Sequence, residues 1–339
     1  MRGTLRAIAI TVLVLGAILA VWLLFFFPSH GIVMTPSGET PDMDLTGQIG
    51  DFVGGVVGTM FSFAATLLVV VTLQEQRRQN RRSLFVQSYY EMLHVHAEQV
   101  VQMKMHKQSQ GEIQGREVFD QLIKHYNTVY DAIETYTQHI LNGGLGNKDA
   151  DNLIAYLSNE NHRKSFVMRL AYGYFFYGSE SYHLPTTATT EEKAIEASIR
   201  AIGKSNQFFV EGCHQILGHY FRHMYQMMQY IINADCLNEN ERYIYAKQLR
   251  AQMDDDEQLL LYYNAMSDIG NSWIEYENRK EKLRKDAELC PLARFRMIKN
   301  IPASVDIKGI EPEAMFVHEI EYFKQRNKDF FEQRVYTTI

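Results

Sequence analysis

Two uninterrupted apolar segments in the N-terminal part of this chain restrict what it can fold into. They cover residues 7–27 and 52–73, and neither contains a charged side chain. A helix of about 20 apolar residues is long enough to cross the hydrocarbon core of a membrane. The sequence therefore predicts a two-helix transmembrane hairpin in residues 1–75, with helices at about 7–27 and 52–73 and a short extracytoplasmic loop at 28–50.

Two other interpretations of these segments agree less well with the sequence. A cleaved signal peptide usually has an apolar run of only about 7–15 residues and a cleavage site of small residues. The first segment is longer and ends in Phe25-Phe26-Phe27-Pro28. A core helix of a soluble domain rarely has an uncharged apolar run as long as the second segment. Membrane spanning is favoured for both.

The charges that flank the two segments predict their orientation. Arginines lie on the outer flanks: Arg2 and Arg6 precede the first segment, and Arg77, Arg78, Arg81 and Arg82 follow the second. The loop contains Glu39, Asp42 and Asp44 and no Lys or Arg. Because basic flanks stay in the cytoplasm, we expect a multi-pass protein whose N-terminus and C-terminus are both cytoplasmic. The four arginines at 77–82 are expected to face anionic lipids of the inner leaflet.

The rest of the chain is predicted to be helical. The whole chain has a net charge of −6, which makes direct nucleic-acid binding unexpected. Its three cysteines are odd in number, have no C-x-x-C spacing, and are interpreted as reduced packing residues. Apolar residues recur at helical spacing, and no sheet is expected. The predicted fold is all-α, with a basic juxtamembrane helix at 76–107, a cytoplasmic helical domain at 108–300 and a C-terminal helix within 301–339.

More detailed patterns predict the individual helices. The juxtamembrane helix is expected to extend to about residue 107, followed by a polar break and a helix over 116–141. Asp254, followed by Glu257, resembles a capping box that opens a further helix. The remaining helices are predicted within 148–177, at 191–202, 207–232 and 239–253, through about 285, and from about 312 to 333.

Small residues recur at every fourth position of the second apolar segment. This Gly stripe comprises Gly50, Gly54, Gly58, Ser62 and Thr66. Small side chains let two helix backbones approach closely. Packing against Gly16 and Ala20 of the first segment and self-association into a homo-oligomer are both open, since the motif does not choose between them.

The densest set of polar side chains in the body lies between Cys213 and Gln226. His214, Gly218 and Arg222 share one helical face, and His219 and His223 share a neighbouring one. A zinc site is not predicted, because the acid of H-E-x-x-H is absent and no third ligand is evident. The sequence Gly203-Lys204-Ser205 is not a phosphate-binding loop, because the required earlier glycine is missing. No metal or cofactor is expected.

Three blocks of the sequence resemble the phage abortive infection protein family, the AbiC-like membrane proteins of bacterial antiviral defence. They are Gly50–Gly55 with the rest of the second apolar segment, Phe85–His96, and Gly218–Tyr225 with the residues that follow to Asn264. The resemblance covers roughly residues 45–270. Thr59, where the family often has Pro, and Met253-Asp254, where it often has Leu-Ser, depart from the pattern.

The resemblance implies a bacterial inner-membrane protein that senses phage infection and triggers growth arrest or membrane damage. It assigns no catalytic residue. The candidate functional cluster, expected to fix a sensing conformation or bind a phage-derived trigger, comprises His219, Arg222, His223, Arg250, Gln252, Glu257 and Asn264. Two alternatives stay open: a membrane-tethered RNase that uses these side chains, and a non-enzymatic membrane scaffold for a partner.

Overall fold

The computed structural model describes residues 2–29, 43–107, 111–143, 150–275 and 289–332. It confirms the prediction of an all-α fold, with twelve α-helices in the described residues. The chain divides into two compact units, Met1–Gln87 and Ser88–Ile339.

The first unit contains two long apolar helices. Helix α1 covers Arg2–Ser29, and α2 begins at Met43 and continues to Gln102. Within Gly3–Leu23 and Gly50–Gln102, each helix contains an 18-residue window that is apolar enough to cross a membrane. Most of their apolar side chains are exposed, as lipid-facing side chains would be.

The two apolar helices use a face of α2 other than the Gly stripe. Val57, Ala64 and Val71, at seven-residue spacing, are buried. A Cβ atom built on Gly16 of α1 would lie 3.6 Å from the Cβ of Met60. No described atom lies within 4 Å of Cβ positions built on the three glycines of the stripe. Self-association through the stripe remains a prediction.

The second unit contains a small sheet where the sequence patterns predicted helix and a polar break. Strand β1 (Lys104–Lys107) pairs antiparallel with β2 (Gly111–Gln114), with Met105 opposite Ile113. The predicted extension of the helix to residue 107 and the expectation of no sheet are therefore wrong here. Gly111 at the start of β2 and Gly115 directly after its end adopt positive φ values, which glycine tolerates without steric cost.

The remaining elements of the second unit are helices. They are α3 (Glu117–Leu141), α4 (Ala150–Ser158), α5 (Glu160–Tyr177), α6 (Thr190–Ser205), α7 (His214–Ile232), α8 (Glu239–Arg250), α9 (Asp255–Ala265), a 3₁₀ turn (Asn271–Trp273), α10 (Pro291–Arg294), α11 (Pro312–Met315) and α12 (Val317–Lys324). The predicted capping box is present at α9, where Asp254 accepts from the Glu257 backbone N–H and Glu257 accepts from that of Asp254.

Three predicted helices differ from the structure. Helix α7 begins at His214 rather than near residue 207, because Gln207 has a positive φ of 56° that no helix accommodates. The C-terminal helix expected from 312 to 333 is two short helices, because Phe316 leaves the helical conformation, and the second ends at Lys324. The helix predicted through residue 285 ends at Ala265, where α9 is followed by turns, and its part from 276 onward lies outside the described residues.

Buried aromatic rings join the central helices. Tyr126 of α3 stacks on Tyr263 of α9, with ring centroids 4.1 Å apart, and contacts Tyr172 and Phe175 of α5. Every side chain of α9 from Glu257 to Ala265 is buried. Helix α9 is therefore enclosed by the rest of the second unit.

Two helical glycines offer a matched test of this packing. A Cβ at Gly173 of α5 would overlap the ring of Tyr182, whereas a Cβ at Gly218 of α7 would meet only the Phe176 ring at 3.9 Å. We expect Gly173→Ala to destabilise the chain by about 1–3 kcal/mol through overpacking. Gly218→Ala should be neutral or stabilising, because Ala favours helix by about 1 kcal/mol over Gly. Thermal unfolding of the detergent-solubilised full chain, followed by circular dichroism, measures both; equal midpoints would contradict the packing of Tyr182.

Candidate functional site

Helix α7 carries most of the candidate residues because it is amphipathic. Its buried face includes Leu217, Met224 and Ile231. The other faces present His214, His219 and Arg222, which are exposed. The polar side chains of α7 consequently point into different clefts.

The first of these, here called the Arg222 cleft, lies between α5, α7 and the turn that follows α9. It has a volume of about 300 Å³. Its walls are formed by Phe176, Tyr177, His214, Gly218, Phe221, Arg222, Tyr225, Asn264, Ile269, Gly270, Ser272 and Trp273. Its lining therefore combines aromatic rings, a small floor at Gly218 and several polar side chains, among them His214, Arg222 and Asn264.

Arg222 is the charged side chain of this cleft. It is exposed and forms no ion pair or hydrogen bond with the part of the chain that the structure describes. An arginine without a protein partner keeps all of its N–H donors available to a ligand. The nearby acid Asp268 is already paired with Arg169, at 3.3 Å.

Asn264 and Gly270 shape the inner wall of the Arg222 cleft. Asn264 is buried, and its Nδ2 donates to the Tyr172 hydroxyl at 2.9 Å. A Cβ at Gly270 would overlap the side-chain and backbone oxygens of Asn264. Only glycine therefore allows the turn after α9 to lie this close to the Asn264 amide.

His219 faces a second cleft of about 270 Å³. This cleft is lined by α7, the end of α2 and the start of β1, with Gln99, Lys104 and Gln215 among its side chains. His219 and Arg222, which are three positions apart on α7, therefore do not share a cleft.

His223 joins α7 to the C-terminal part of α2. Its Nε2 donates to the backbone carbonyl of Met92 at 2.9 Å, and its ring stacks near that of His96. His96 is buried, and neither of its ring nitrogens has a hydrogen-bond partner among the described residues. Burial, together with the adjacent His223, lowers the pKa of His96 to about 4. His96 is therefore neutral at pH 7.

Arg250 and Gln252 hold backbone segments together. Arg250 is buried, and its Nη1 donates to the carbonyls of Phe295 and Arg296 at 3.1 and 2.8 Å. The backbone carbonyl of Gln252 accepts a hydrogen bond from Arg116 at 2.5 Å. Arg250 thus fastens the segment that contains α10 to the end of α8.

Glu257 is a buried acid at the start of α9. Burial, followed by the negative charge of Asp254, raises the pKa of its carboxyl to about 7. The hydroxyl of Tyr220 lies beside this carboxyl but outside hydrogen-bonding geometry. The acid is therefore close to half protonated at neutral pH.

The structure brings Arg222 and Asn264 into one cleft and places the other five candidates elsewhere on α7, α8, α9 and the turn between α8 and α9. In the described residues, no group of three His, Cys, Asp or Glu side chains could hold a metal ion. Tyr177 and Trp273, which line the Arg222 cleft, were not singled out from the sequence. Aromatic residues are frequent in this chain, so neither had a distinguishing pattern.

Comparison with known proteins finds one family at this site. The model of the family described as "Putative phage abortive infection protein" matches residues 212–281. Residues 212–281 resemble that family. The match confirms the resemblance predicted from the sequence. No curated protein and no solved structure matches the chain.

The segment that resembles the abortive infection family contains the Arg222 cleft almost completely. Helices α7, α8 and α9 and the 3₁₀ turn all lie within it. Among the residues that line the cleft, only Phe176 and Tyr177 lie outside the matched segment. The part of the chain that resembles the abortive infection family is therefore the part that builds this cleft.

The raised pKa of Glu257 predicts a pH-dependent stability that Glu257→Gln removes. The protonated Glu257 carboxyl is uncharged and is therefore favoured at this buried site. Its contribution to the free energy of unfolding is complete below the unfolded pKa of about 4.5 and is lost as the pH rises through about 7. Gln keeps the capping geometry without the charge. We expect thermal midpoints of variant and wild type to agree near pH 4, and the variant to be more stable at pH 8 by about 1–3 kcal/mol.

The neighbouring His96 does not reproduce this effect. Its lowered pKa gives a contribution that is present above about 6.5 and lost as the pH falls through about 4, which is the opposite slope. The control is Glu241→Gln, which changes the same capping position on α8 at an exposed site. A Glu257→Gln chain that is less stable than wild type at pH 8 would mean that the charged carboxylate is favoured there.

Proposed function

We propose that this chain is a membrane protein of bacterial anti-phage defence. Its helical domain detects infection, and the response stops growth or damages the cell membrane. The family match over residues 212–281 carries this proposal, because it coincides with the cleft that contains Arg222, an arginine without a partner among the described residues. The two apolar helices support a membrane location.

The proposed location is the bacterial inner membrane, with both chain termini in the cytoplasm. Four arginines of α2 follow its apolar stretch and are exposed: Arg77, Arg78, Arg81 and Arg82. Basic side chains close to a membrane span favour the cytoplasmic side and attract anionic lipid headgroups. The inner-leaflet lipids are therefore proposed partners of this segment.

Reporter fusions test the proposed topology. Green fluorescent protein fused after residue 339 should fluoresce, and alkaline phosphatase inserted after Gly38 should be active, because one reporter works in the cytoplasm and the other in the periplasm. Replacing the four arginines at 77–82 by Gln should reduce the alkaline phosphatase activity, since it weakens the orienting charge. An active phosphatase fused after residue 339 would contradict the proposal.

The Gly stripe is the proposed contact between copies of the chain. Gly54 and Gly58 face open space within the described residues, so larger side chains there would not disturb the packing of Val57 or Ala64. Helices that associate in membranes use such small residues for close backbone contact. In a homo-oligomer of α2 helices, the defence response would act on the membrane through the α2 helices themselves.

Membrane potential after infection tests this route. In protected cells, a voltage-sensitive dye should report loss of potential with the wild type and not with Gly54→Leu/Gly58→Leu, because the added side chains separate the helices. The matched control is Val56→Leu/Phe63→Leu, which changes two exposed positions on the opposite side of α2. The control should behave as the wild type.

Other results of the same experiment identify other effectors. A steady potential in protected cells that degrade their RNA would place the response in the cytoplasmic domain and contradict the membrane route. A chain that protects only when neighbouring genes are present would be a scaffold for another effector. A chain that never protects, with or without those genes, would contradict the role in defence.

A further inference from the structure

We propose that the Arg222 cleft binds a small anion that carries a flat aromatic ring, of the nucleotide class. The first observation in favour of an anion is the charge of the cleft. Arg222 is its charged side chain, and no acid is present among the described residues that line it. His214 adds a ring N–H donor at the start of α7, where the helix dipole is positive. A guanidinium with no protein partner fits a phosphate group.

The aromatic rings of the cleft favour a ligand that is flat as well as negatively charged. Tyr177 is 42% exposed, and its ring lies 5.9 Å from that of His214. Tyr225, three positions after Arg222, packs on Trp273 at 5.3 Å. Exposed tyrosine faces next to a cation suit the stacking of a base.

The size of the cleft separates small molecules from polymers. A volume of about 300 Å³ lies at the lower end of ligand pockets. His214 and Tyr225, which both line the cleft, are eleven positions apart on α7 and therefore about 16 Å apart along the helix axis. A mononucleotide fits these dimensions. A nucleic-acid strand would need a longer basic groove, and the chain has a net charge of −6.

Arg222 has no structural task that would explain its place. The buried Arg250 holds two carbonyls, and Arg169 pairs with Glu192 and Asp268. Arg222 forms no such bonds with the described residues, although it lies beside the buried helix α9. Its guanidinium donors are therefore available to a ligand that enters the cleft.

The inference deepens the proposed function and rests on it in one respect only. If the chain acts in defence, the ligand is the trigger, a nucleotide whose concentration changes during infection. Binding itself does not depend on that role. Binding and protection are therefore measured separately.

Trp273 supplies an intrinsic reporter for the binding experiment. The chain has two tryptophans, and the other, Trp22, stacks on Phe26 in the apolar helix α1. Trp22→Phe leaves Trp273 as the single tryptophan. The full chain in detergent is titrated with AMP, GMP and ATP, and its fluorescence is excited at the red edge, where nucleotides absorb little. Adenosine and inorganic phosphate are titrated separately, and thermal unfolding gives a second readout.

We expect at least one nucleotide to change the Trp273 fluorescence with saturation and to raise the unfolding midpoint. Arg222→Ala should weaken its binding on the order of ten- to a hundred-fold, since a hydrogen-bonded charge pair is lost. Gly218→Leu should abolish binding, because its side chain fills the floor of the cleft while keeping helix propensity. Arg326→Ala, an exposed arginine over the Tyr322 ring outside the cleft, is the matched control and should bind as the wild type.

Three results would overturn the inference. They are no change with any nucleotide, equal binding by Arg222→Ala and wild type, and saturation by phosphate alone at the same concentration as the nucleotide. Nucleotide binding by a chain that gives no protection against phage would support the site and contradict the proposed function. Protection by a chain that binds no nucleotide would support the proposed function and contradict the site.

Discussion

The burial of α9 from Glu257 to its end is the constraint on which the second unit depends. Its nine side chains from Glu257 to Ala265 are enclosed, and several are polar. A buried polar group without a partner costs about 1–3 kcal/mol, so each needs a bond. The C-terminal segment supplies three: the Asn300 N–H donates to Gln258, the Tyr262 hydroxyl donates to Ile310, and the Lys308 N–H donates to Tyr263. These bonds hold the segment 300–310 against α9.

The same constraint explains why resemblance alone does not separate structural from ligand-binding residues. The segment 212–281 contains both the enclosed helix and the Arg222 cleft. Asn264 belongs to both, since it bonds to Tyr172 in the core and also lines the cleft. Arg222 is different, because it is exposed and its removal breaks no bond to the described residues. A loss of function in an Arg222 variant is therefore easier to interpret than one in an Asn264 variant.

The sequence predicted the helices that bury one face and expose the other. Helix α3 shows this pattern, with Phe119, Leu122 and Tyr126 on the buried face. Helix α9 has no periodicity because it is buried all round, and its capping box alone indicated where it begins. The four-residue strands were too short to give an alternating pattern. Arg250 could not be recognised as a structural tie, because its carbonyl partners lie about 45 residues further along the chain.

Helix α7 both lines the Arg222 cleft and contacts α2. One of its faces lines the cleft, and His223 on another face donates to the Met92 carbonyl. Tyr89 of α2 also donates to the backbone carbonyl of Tyr245 in α8. Because α2 is one continuous helix from Met43 to Gln102, its apolar stretch and these contacts share a backbone. A ligand that moved α7 would act first on the His223 bond, since this bond joins α7 directly to the α2 backbone. Coupling of this kind requires that α7 have two alternative positions, and ligand binding would then have to favour one of them.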